Sequence, residues 1–101
     1  MSGTGRASKE LEPPPLAATD VQAVEVLRVW AASEGPQQLT LRTTWKDPGA
    51  WGLLLVDIAR HAAIAYENEG QSREAALGRI REALDAEWLA PTDRPMDITP
   101  T

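Results

Sequence analysis

Hydrophobic and polar positions alternate along "QLTLRTTW", residues 38–45, with Leu39, Leu41 and Thr43 on one side and Thr40, Arg42 and Thr44 on the other. A period of two is the signature of a half-buried strand. Such a strand needs a pairing partner. The preceding run, Val24 to Ala32, can be read the same way and carries the β-branched residues Val24, Val26 and Val29. "SEGPQ" between the two runs supplies a turn. The pattern predicts a β-hairpin of residues 24–32 with 38–45, preceded by a short helical turn at 20–23. A single helix over 20–34 is the other reading of the first run.

From Trp51 the period changes. Trp51, Leu54, Leu55, Ile58, Ala62 and Ala65 recur at three- and four-residue steps, the spacing of one helical stripe. Asp47-Pro48-Gly49 announces that helix, with an aspartate able to cap and a proline suited to the first helical position. Gly70 suits its end. A second stripe follows at Ala76, Leu77, Ile80, Ala83, Leu84 and Trp88, with Ser72 as N-cap, Glu74 in the first turn and Pro91 as the stop. Arg81 and Asp85 stand four apart on its polar side. The link between the helices is short, so they should pack as an antiparallel hairpin.

The predicted fold is therefore α+β: a short helical turn, a β-hairpin, and two antiparallel helices packed on one face of the sheet. Residues 1–18 contain three consecutive prolines and no apolar period, and read as a disordered arm. Residues 91–101 carry three more prolines and read as a disordered tail. A single domain of roughly 70 residues remains at 19–90, a size at which oligomerisation is a common aid to stability.

"EVLRVWAA", "DPGAWGLLLVDIARH" and "DAEW" together resemble a small family of uncharacterised bacterial proteins, catalogued only as a domain of unknown function. The resemblance spans residues 20 to 92. It implies a compact α+β domain and carries no activity or site residues with it.

Composition narrows the function classes. The chain has no cysteine and one histidine, which leaves no disulfide, no thiolate chemistry and no ordinary zinc site. Ten basic and fifteen acidic residues give a net charge of −5. Such a chain repels phosphate backbones, so nucleic acid is not an expected partner. No segment has the length of a membrane span or the apolar run of a signal peptide, and a cytoplasmic location is expected. No cofactor is implied.

Three stretches could carry function. Asp57 and His61 lie one helical turn apart, with Arg60 close by, and such a pair could make a general base. Asp57, His61 and Asn68 form a polar strip beside the apolar stripe, where a boundary helix places polar groups in any case. No serine or threonine accompanies them as a nucleophile, so the strip reads as structural. Together with Lys46 before the helix, Asp57, Arg60 and His61 form the alternative: a small-molecule or anion site, or an enzyme's.

The hairpin supplies the stronger candidate. If Leu27, Val29, Leu39 and Leu41 face the helices, the opposite face holds Val26, Arg28, Trp30, Thr40 and Arg42. Arg42 would lie opposite Arg28 or near Trp30, and an arginine beside a tryptophan is a common interface anchor. That face, or an unpaired sheet edge, could meet a second copy, an acidic protein or an anionic ligand. The expectation is a non-catalytic interaction or assembly module, homodimeric through its hairpin.

Overall fold

The structure is a computed structural model and describes residues 9–92 and 95–99. Its elements run α1 (Leu16–Thr19), β1 (Leu27–Trp30), β2 (Gln38–Leu41), α2 (Gly49–Asn68), α3 (Arg73–Leu89) and β3 (Met96–Asp97). The α+β class, the hairpin and the paired helices match the sequence pattern.

The short helical segment lies earlier than residues 20–23. Pro15 presets a helical φ at its start, and the Asp20 carboxylate accepts from the N–H of Gln22, turning the chain out of helix there. Residues 9–18 include the start of α1. Glu10 among them ion-pairs with Arg28 of β1. Residues 1–8 lie outside the described residues.

β1 and β2 are antiparallel with Leu27 opposite Leu41, Arg28 opposite Thr40, Val29 opposite Leu39 and Trp30 opposite Gln38. Opposed residues share a face, so Leu27, Val29, Leu39 and Leu41 form one apolar face, as the alternation requires. The strands are shorter than the sequence suggests. Thr44, at φ 63, lies in the left-handed region three residues past the end of the second one.

β3 pairs in parallel with β2, and the N–H of Ile98 donates to the carbonyl of Leu39. β3 falls within residues 91–101. A proline next to a two-residue edge strand is tolerated because its missing donor is not needed there. In the three-stranded sheet β2 is central, and β1 and β3 are the two edges. Residues 93, 94, 100 and 101 lie outside the described residues.

Asp47 accepts from the N–H of Gly49 at 2.8 Å and so serves the start of α2, while Ser72 accepts from the N–H of Ala75 to cap α3. Gly70, at φ 104, makes the turn between them.

The largest departure concerns packing. The two helices meet each other, and the strands meet each other, but among the described residues no strand packs against either helix. The expectation that the helices cover one sheet face is therefore not met within the chain. What joins the halves is a junction: the indole N–H of Trp51 donates to the carbonyl of Thr43, and Trp45 stands edge-on to Trp51 with ring centroids 5.8 Å apart.

Candidate interaction surface

Among the described residues, Ala63 and Ala76 are the only buried apolar side chains. Both lie where α2 crosses α3. Two alanines cannot supply the burial that holds a domain together, since stability needs many fully covered large side chains to offset chain entropy.

Among the described residues, nine of the seventeen exposed large apolar side chains lie on the helix pair. A groove of about 680 Å³ runs between the first half of α2 and the second half of α3. Leu55 and Val56 line one wall, Leu84 and Trp88 the other, and Arg60 and Asp85 stand at its rim. Trp88 is 76% exposed.

The stripes read from the sequence include Leu55, Leu77, Ile80, Leu84 and Trp88 of the groove and miss Val56 and Ala59. "LLLV", residues 53–56, is the available signal. Four consecutive apolar residues wrap more than one face, and a helix apolar on several sides is covered on several sides.

The sheet carries two different faces. The apolar one, Leu27, Val29, Leu39 and Leu41, is only part-covered, and Val29 is 53% exposed. The other holds the predicted set. Arg28, Trp30 and Thr40 share it by register, and the same register, extended by the bond from the N–H of Arg42 to the carbonyl of Val26, sets Arg42 opposite Val26. Arg42 is therefore neither opposite Arg28 nor near Trp30, which sits at the far end of the strand pair.

Arg28 is occupied. Its guanidinium meets the carboxylates of Glu25 and Glu10 at 3.2 and 3.1 Å, and the hydrogen bond and charge of Glu25 first, then Glu10, hold its pKa above the usual range. A cation already matched by two carboxylates has little charge left for an acidic partner. Beside it a shallow concavity of about 450 Å³ separates Lys9–Leu11 from Val29 and Trp30. Trp30 is 42% exposed.

The Asp57 strip is not assembled into a site. Asp57, Arg60 and His61 lie exposed on α2, Lys46 lies in the preceding loop, and none of the four has a side-chain hydrogen bond or ion pair among the described residues. Only Arg60 reaches the groove. Nor do three His, Asp or Glu side chains gather to hold a metal ion among the described residues. No helix among them is long and apolar enough to cross a membrane.

A chain with this hairpin, this capped helix pair and these tryptophans can be placed by comparison. The profile of a domain of unknown function, DUF5076, matches residues 10–92. The chain belongs to the DUF5076 family. The match begins at Glu10, the residue that pairs with Arg28, so this DUF5076 domain includes the segment ahead of α1.

Among solved structures the chain is similar to one described as a "putative pyruvate dehydrogenase" from the photosynthetic bacterium Rhodopseudomonas palustrus CGA009. That protein is 40% identical, with 92% of this chain and 94% of that one covered and a TM-score of 0.68. No curated protein matches.

Proposed function

We propose that this DUF5076 chain is a non-catalytic interaction and assembly module that completes its hydrophobic core by pairing with a second copy of itself. The observation that carries the reading is the near-absence of a core within one chain: among the described residues, two buried alanines stand beside seventeen large apolar side chains left exposed. Small domains that cannot bury enough surface alone are commonly completed by association. An obligate dimer is the simplest such arrangement, because one two-fold contact covers the same patch on both copies.

The description of the solved relative names an enzyme, and the reading proposed here differs from it.

The test is the solution mass of the full chain by sedimentation equilibrium across a wide concentration range. The expected result is a species of twice 11.0 kDa. A strict monomer at every concentration would overturn the proposal.

A further inference from the structure

In a single α+β domain the apolar face of a sheet and the apolar face of a helix pair cover each other. Here both faces exist in one chain and stay apart. Leu27, Val29, Leu39 and Leu41 present one; Leu55, Val56, Leu84 and Trp88 line the other.

The segment between them is held, not slack. Thr44 sits at φ 63, a left-handed conformation that costs a β-branched residue energy unless its surroundings impose it. Its hydroxyl donates to the carbonyl of Arg42 at 2.9 Å. One residue earlier, the Thr43 carbonyl takes the indole N–H of Trp51, and Trp45 closes edge-on against that ring. The junction holds the helices where the sheet face stays only part-covered, with Val29 53% exposed. Two complementary faces joined by a constrained link are the geometry of exchange between identical chains.

We infer that two copies assemble by reciprocal exchange, the helix pair of each laying its groove on the apolar sheet face of the other. The inference rests on self-association and specifies its geometry. It commits to a second copy because each chain carries both faces, so each copy supplies what the other lacks. A helix-to-helix bundle would cover the grooves and leave Val29 bare. A small apolar ligand could fill the groove and would leave Leu53 and Leu89, 72% and 85% exposed, in water.

The chain has no native cysteine, so introduced ones report alone. The experiment uses the full-length double variant Val29→Cys with Leu84→Cys, treated with a short bismaleimide and run under denaturing conditions. A second pair, Leu39→Cys with Leu55→Cys, guards against one unsuitable span. The exchanged assembly gives a covalent product of twice the chain mass, and mixing the two single variants gives the same product. Linkage confined to one chain would overturn the inference by showing that the faces meet internally. So would Leu84→Cys linking to its own copy while the mixed pair does not, or no linkage with either pair. These outcomes separate from the parent reading through the unmodified chain. If it is a dimer by mass, self-association stands and only the exchange falls; if it is a monomer, both fall.

Discussion

The indole N–H of Trp51, in the first turn of α2, donates at 3.1 Å to the carbonyl of Thr43, just past the end of β2. The bond ties the helix pair to the end of the sheet, beside the edge-on contact of Trp45 with Trp51. Trp51→Phe removes the donor and keeps a ring for Trp45 to meet, so it should cost about 1 kcal/mol, the net worth of one such bond. Trp51→Ala also removes the ring and should cost about 2–3 kcal/mol, below the usual value for a buried tryptophan because this one is half-buried. Urea denaturation of the three proteins gives both differences. Equal losses would show that the hydrogen bond, not the ring, holds the junction.

Thr44 offers the opposite sign. An asparagine tolerates the left-handed region far better than a β-branched residue and avoids the unfolded-state entropy that glycine adds. Thr44→Asn should therefore stabilise the chain by about 1 kcal/mol, raising Tm by roughly 4–8 °C for a domain of this size. An unchanged or lowered Tm in a thermal scan would show that the link at φ 63 stores no strain.

Much of this fold is legible in the sequence because its signals are local. Ser72, Asp47 and Gly70 act through bonds or torsions within a few residues, and each stands where its chemistry requires. The two faces of the hairpin follow from alternation alone, which is enough to group Leu27, Val29, Leu39 and Leu41. β3 is not legible this way, since two residues carry no period. The relation of helices to sheet is not legible either, for a different reason. An apolar stripe says that a face is covered and does not say by which chain. The candidate site shares that limit. Arg28 is visible as a cation on the sheet, but Glu10, which occupies it, sits eighteen residues away in a proline-flanked segment.

The two tryptophans exposed on separate surfaces should behave differently. Trp88 lines the groove at 76% exposure, and Trp30 lies on the polar face of the sheet at 42%. If the groove is the contact between copies, Trp88→Ser should weaken self-association by at least about 30-fold, the loss typical of a central aromatic anchor. Trp30→Ser, away from that contact, should change the dissociation constant by less than about threefold. Sedimentation equilibrium measures both, and the reverse ranking would move the interface to the Arg28 face.

Arg28 gives the prediction with the smallest expected effect, and that makes it informative. Its partners Glu25 and Glu10 are exposed or partly so, and exposed ion pairs contribute between zero and about 1 kcal/mol because water and salt screen them. Arg28→Met, which keeps much of the side-chain stem, should thus cost less than about 1 kcal/mol, with the difference shrinking further in about 0.5 M salt. It should also leave the solution mass unchanged, since the guanidinium is matched within its own chain. A larger loss in urea titrations, or a shift in mass with this variant alone, would mean that the Glu10–Arg28–Glu25 cluster is covered in the assembled protein. The charged face of the sheet would then be part of the contact between copies.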